Sequence, residues 1–414
     1  MPFNIGLSGL NSAQADLQAT GNNVSNAGTT GFKRSRAEFG DVFAQSFGGV
    51  SQTATGGGSR LMAVTQQFSQ GRMEFTENGL DLAIDGEGFF VMNDGGNRVY
   101  TRAGEFQVNR DGNLVNNQGQ QLQGYPPINP GSTDTEFNTG QLGDLRLQTG
   151  ASSPQATSEI EALVNLQSSA QGLDPDAFDF DDPDTYNYST SLTVYDSLGT
   201  SRDARIYFVK NEGADREWTA FMTIDGEPAV DDEGDPAAFG LEFDGSGQLT
   251  GDTEFDFVRG GFDNGADPIE GTIDFSGTTQ FGGDFAVNDL GQNGFASGRL
   301  TGVDIDSSGV VFARFTNGQS SVLGQVALAN FTNPQGLEQL GNNNWAETFA
   351  AGDPVFASPG TGNLGQIQSG ALESSNVDIA QELVNLITAQ RNFQANAQTI
   401  STADQVTQTI INIR

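Results

Sequence analysis

Residues 80–125 read LDLAIDGEGFFVMNDGGNRVYTRAGEFQVNRDGNLVNNQGQQLQGY, and this stretch decides the fold class. Its apolar residues recur at a period close to two, the repeat of a strand with one face buried. Asp85-Gly86, Asp94-Gly95 and Asp111-Gly112 punctuate it and are read as hairpin turns, because glycine supplies the positive φ that a tight turn needs. A second run of this kind, LTGVDIDSSGVVFARFTNGQSSVLGQVALANF, occupies residues 300–331, with a turn at Asn317-Gly318. Between the two lies a β-rich middle, 149–292, containing SLTVYDSLGTSRDARIYFV (191–209) and EWTAFMTIDGEP (217–228). Its loops are acidic: DPDAFDFDDPD at 174–184 and DDEGD at 231–235. The pattern predicts one β domain, 73–148 plus 293–374, split by an inserted outer β domain at 149–292.

The two ends follow a different period. From Phe3 to about Asn26, Leu10, Ala13, Leu17, Thr20 and Val24 recur at spacings of three and four, a heptad seam. Thr20 weakens the seam, and Gly6, Gly9 and Gly21 cost helix stability. At the other end Ser375 and Asp378 form an S-x-x-D capping box expected to open a helix. Beyond it Ile379, Leu383, Leu386, Gln390, Phe393, Ala397, Ile400, Asp404, Thr407 and Ile411 hold one stripe over about 50 Å. Residues 31–72 are polar and Gly-rich, with GGGS at 56–59, and read as a connecting stretch. The expected fold is therefore mainly β: an elongated multidomain subunit with two β-rich domains, one inserted in the other. Helices at 1–30 and 375–414 form its coiled-coil-like terminal domain.

Composition removes several function classes. The formal net charge of -35 repels phosphate backbones and anionic bilayers, so neither nucleic acid nor a membrane surface is an expected partner. With neither histidine nor cysteine, the chain cannot build a Ser-His-Asp or Cys-His nucleophile, a disulfide or a Cys/His zinc site. No run of 18 apolar residues is present, so no spanning helix is expected. The first residues, MPFNIGLSGLNSAQ, lack a basic leader and a continuous apolar core. If the protein leaves the cell, an uncleaved route is expected.

Three blocks carry a resemblance. GNNVSNAGTTGFKRSRAEF (21–39), the pair DLAIDGEGFFVM and YTRAGEFQVNRDGNLVN within 80–125, and ALESSNVDIAQELVNLITAQRNFQANAQTISTADQV (371–406) together resemble the flagellar rod and hook family. The large insertion, and VLGQVALANF followed by GLEQLGNNNWAET, look more like the hook members than the rod members, which generally lack such an insertion. The resemblance implies a non-enzymatic subunit, without cofactors, that polymerises with itself into a curved hollow tube. That tube is a flexible coupling carrying torque from rod to filament. The implied partners are the distal rod protein, the hook cap, the hook-filament junction proteins and the type III export gate. The implied location is the extracellular hook and basal body. Leu10, Leu17, Val24, Ile379, Leu383, Leu386, Phe393 and Ile400 are then the expected polymerisation seam. Phe39 and Phe43, four residues apart in FGDVF, match the family's export element, though an ordinary apolar pair would have the same spacing.

Other motifs have plainer readings. Asp304, Asp306, Ser308 and Gly309 begin like a calcium loop, but its twelfth position is Phe315 where a bidentate carboxylate is required; a polar turn is expected. Asp85 and Glu87 are read as turn residues rather than an acid/base pair. GGGS lacks the Lys-Ser/Thr of a phosphate loop. The competing readings are a distal rod protein and a secreted β-rich binding module or glycosidase.

Overall fold

A computed structural model describes residues 2–42, 56–129, 135–147, 150–231 and 234–412. The chain is mostly β, with one long helix at each end. It divides into two units: 1–149 with 302–314 and 320–414, and 150–301 with 315–319. The inserted unit thus continues past residue 292 and takes in the turn around Asn317.

In the first unit the central strands run in the order Ser320–Val326, Gln121–Tyr125, Phe89–Asp94, Asn97–Thr101, Asn344–Ala346, Glu338–Gly341. Strands from either side of the insertion are therefore interleaved. Edge-on rings form the core: Phe89 meets Phe68, Phe331 and Trp345, and Tyr100 meets Phe331 at 4.8 Å. Such pairs add about 0.5–1.5 kcal/mol each beyond the area they bury.

The turns differ in detail from the sequence expectation. The Asp94 hairpin closes through Gly95-Gly96, with Asp94 paired to Asn97. Asp111-Gly112 lies inside a longer turn in which Asn109 Oδ1 accepts from the Asp111 and Asn113 amides. Asp85-Gly86 is not a hairpin. Strand Leu82–Asp85 pairs with Gln366–Ser369, whereas Phe89–Asp94 belongs to the large sheet. Gly86 carries the chain from one to the other at φ 124°, where a Cβ would lie 2.8 Å from the Gly365 Cα.

The inserted unit closes its own core. Along Glu159–Gln167, Ile160, Ala162, Val164 and Leu166 all point inward. They pack with Phe208, Trp218, Phe239 and Phe275. Its entry and exit strands run side by side, Gln155 bridging to Phe295 and Ser152 donating to the Gly298 carbonyl. The acidic loop at 174–184 folds on itself: Asp174, Asp179 and Asp182 each accept the amide two residues on.

α1 (Pro2–Ser25) and α2 (Ile379–Asn412) pack along each other in the first unit. α2 begins three residues later than the capping box implies. Asp378 is the N-cap, accepting from the Ala380 and Gln381 amides. Ser375 is buried and accepts from the Val377 amide instead. The Asp378 carboxylate reaches two amides and interacts well with the positive end of the helix. The expected connector carries a two-stranded ribbon, β1 (Ser35–Asp41) and β2 (Ser59–Gln66), paired antiparallel.

Candidate assembly surface

The α1–α2 contact is narrow and built from small residues. A Cβ on Gly6 would stand 2.8 Å from Ile400, and one on Gly9 2.4 Å from the Asn396 side chain. Ala13 and Thr20 continue that inward face and are buried, as is Ala389 opposite. The glycines that weaken the isolated helix thus allow the close approach. Among the described residues of α2, only Glu382 and Ala389 are buried.

A polar layer follows toward the β-rich part. Asn23 Nδ2 donates to the Ser35 carbonyl while Asn23 Oδ1 accepts from the Ser35 amide, both at 2.8 Å. Asn23 also donates to Glu382, and Arg34 lies 3.5 Å from that carboxylate. Asp16 faces the same region. Burial raises its carboxyl above the usual range, and the Glu382 charge raises it further. Beyond this layer, Lys33, Arg102 and Glu373 form a buried ion cluster.

The outward face is apolar and uncovered. Phe3, Ile5 and Leu7 on α1 are exposed, as are Ile379, Leu383, Val384 and Ile387 near the start of α2 and Val406, Ile410 and Ile411 near its end. On the ribbon, Phe39, Leu61, Met62 and Val64 are exposed as well. A groove of about 590 Å³ runs between α1, α2 and the ribbon, past Ile5, Ser8, Phe39, Ser59 and Asn396. Covering each large apolar side chain is worth about 1.5–3 kcal/mol. Exposed large apolar side chains gathered on an element are the usual material of a protein–protein contact.

The sequence-derived seam splits across these two faces. Leu10, Leu17, Val24, Leu386, Phe393 and Ile400 are half-buried along the helix pair. Ile379 and Leu383 are 53% and 45% exposed. Phe39 is 41% exposed on β1; Phe43 lies outside the described residues. The inward register belongs to Gly6, Gly9, Ala13 and Thr20; Ala13 and Thr20 stand in the sequence-derived heptad, whereas a search for apolar residues passes over Gly6 and Gly9. Their steps of three, four and seven were the available signal. Lys33 offered another, for the chain has only two lysines, Lys33 and Lys210.

The chemistry is that of contact. Among the described residues no cluster of three or more Asp, Glu, His or Cys could hold a metal ion. In the calcium-like loop, Asp306 accepts from Ser308 and Val310, and Asp304 pairs with Arg314. Among the described residues no helix is long and apolar enough to cross a membrane.

Comparison with known proteins follows the same division of the chain. Residues 3–33 match the family described as flagella basal body rod protein, and 83–148 the flagellar hook protein FlgE/F/G D1 domain. Residues 165–295 match the flagellar basal body protein FlaE D2 domain, and 368–413 the flagellar basal body rod FlgEFG protein C-terminal family. The flagellar hook protein FlgE of Salmonella typhimurium is 37% identical over 416 residues, covering 100% of both chains. That of Escherichia coli is 36% identical over the same coverage. That of Treponema pallidum is 31% identical, covering 99% of this chain and 98% of its own. The crystal structure of Helicobacter pylori flagellar hook protein FlgE2 shares the fold at TM-score 0.52 and 15% identity, over 73% of this chain and 100% of that one.

Proposed function

The chain belongs to the flagellar hook protein family, and from that premise we propose that it is a structural subunit of the bacterial flagellar hook, polymerising with copies of itself into a curved hollow tube. One observation carries the reading. Both β-rich units bury their own cores, while the helix pair and the ribbon leave apolar faces open. A subunit whose ends lack cover gains it from the next copy. Contacts that repeat head to tail without closing give a helical polymer.

In this reading the terminal parts, 1–30 and 375–414, are the polymerisation domain, with Leu10, Leu17, Val24, Ile379, Leu383, Leu386, Phe393 and Ile400 on its seam. The tube works as a universal joint between rod and filament. Its partners are the distal rod protein, the hook cap and the hook-filament junction proteins. The subunit passes the type III export gate without losing a signal peptide and works outside the cell. Phe39 and Phe43 are read by that gate; changing both to Ala lowers secretion more than it lowers subunit stability. Equal secretion of variant and wild type would leave only a packing role for the pair.

Electron microscopy of the concentrated, purified protein tests the central reading. Tubes are expected. A lasting monodisperse monomer would point instead to a binding module.

A further inference from the structure

Lys33, Arg102 and Glu373 are 2%, 4% and 0% exposed, and two cations share one carboxylate. Glu373 Oε1 accepts from Lys33 Nζ at 2.6 Å and from the Gly71 amide at 2.7 Å; Oε2 accepts from Arg102 at 3.1 Å. Lys33 also donates to the Ser69 carbonyl, and Arg102 to that of Gly86. The Glu373 carbonyl accepts from the Gly31 amide. Three residues therefore join four stretches of chain: the exit from α1, the return from the ribbon, the β-rich core and the approach to α2. Burial pushes the Lys33 ammonium below its usual range, opposed by the Glu373 charge.

Resting on the hook reading, we propose that Lys33, Glu373 and Arg102 are positioning residues: a buried clamp that fixes the direction in which the helix pair leaves the β-rich core, and through it the shape of the tube. Apolar contacts tolerate sliding, whereas a buried carboxylate with directed partners permits one arrangement. The second polar layer repeats the device. Asn376 accepts from the Arg34 amide and donates to the Gln67 and Ser69 carbonyls, next to the Asn23–Ser35 pair. Each chain crossing at the base of the helices is thus held by polar bonds of fixed geometry.

The charge count supplies the test. Lys33→Met leaves Glu373 matched by Arg102, so the subunit stays folded while the Lys33 side-chain links to Ser69 and Glu373 are released and, of the ties between Glu373 and the α1 exit, only the Gly31–Glu373 backbone bond remains. Glu373→Gln leaves two buried cations without an anion, the more damaging change. A role in filling space alone would not rank the two in this order. Both lysines of the wild-type chain are buried, and Lys210 donates to the Ser168 and Ala170 carbonyls in the other unit. Amine acetylation followed by peptide mass spectrometry therefore reads the clamp directly, with Lys210 as internal control. In Glu373→Gln, Lys33 should acetylate at least about tenfold faster than in wild type, the factor expected when a buried site opens locally, with Lys210 unchanged. Micrographs of Lys33→Met should show tubes of altered curvature, or none from a folded subunit. If Glu373→Gln does not fold, Lys33→Met decides alone. Wild-type curvature in Lys33→Met, or Lys33 in the wild-type subunit acetylating as fast as the N-terminal amine, would overturn the clamp. Failure of the wild-type protein to form tubes would refute the hook reading instead, and the acetylation ratio would then judge the clamp.

Discussion

The inserted unit and the terminal helix pair solve the burial problem in opposite ways. The insertion has two sheets whose inward residues, from Ile160 to Phe275, fill a core of its own. The helix pair has more length but little depth: α2 runs for 34 residues and buries Glu382 and Ala389. Glycine and alanine bring the helices close, yet a contact between small residues removes little apolar area from water. By area alone such a pair is marginal. The difference teaches where folding ends and assembly begins. The β-rich units close their cores within one chain, and in the proposed function the helices finish against other copies.

Changes that fall on one side of this contrast should leave the other untouched. Trp218→Ala in the insertion core should cost about 3–5 kcal/mol, seen as a shift of that unit's denaturant transition, with the helical circular dichroism signal preserved. Loss of both together would break the contrast.

Acid should act on the same unit. Burial alone would raise the Asp196 carboxyl, but Arg202, Asn264 and the Thr200 and Leu198 amides outweigh it and hold it at about 2. A carboxyl held below its unfolded value near 3.8 stabilises the fold above that value and loses the contribution as pH falls through about 2. The contribution at neutral pH is about 2 kcal/mol. Asp196→Asn should therefore flatten the acid limb of the insertion's stability profile below pH ~4; an unchanged limb would remove Asp196 from the account.

On the helical side, Gly9→Leu forces a side chain into Asn396 and should cost about 1–3 kcal/mol of helix pairing. The expected readout is a lower helical signal in the subunit and no tubes. The smallest stability effect belongs to Leu383→Asp, on exposed surface: within about 0.5 kcal/mol in the isolated subunit. Tube formation should nonetheless be lost, because the charge would be buried unpaired on assembly. Normal tubes from this variant would place the assembly face elsewhere.

The β organisation was readable because its signals are local. Asp or Asn followed three residues later by Gly marks turns at Asn109, Asn116, Asp196, Asp244 and Asp306, where the side chain accepts the second and fourth amides beyond it. Reading Asp-Gly pairs as two-residue turns placed the punctuation correctly at 111–112 but missed the longer turn containing it. At Asp85-Gly86 the same dipeptide crosses between sheets, which no local pattern distinguishes. On the inward face of α1, Ala13 and Thr20 belonged to the heptad, but Gly6 and Gly9 escaped because hydrophobic periodicity weights Leu10 and Leu17 above them, whereas close packing selects the smaller residues. The ion cluster was least readable of all: Lys33, Arg102 and Glu373 lie far apart in sequence, and their meeting is a property of the fold.

Amide hydrogen exchange, followed residue by residue in the subunit and in the tube, tests the division of labour most directly. In the subunit, the outer turns of α1 and α2 should exchange far faster than strands Phe89–Asp94 and Glu217–Ile224; in the tube, the helices should become as protected as the strands. Helices already as protected as those strands in the isolated subunit would contradict the account.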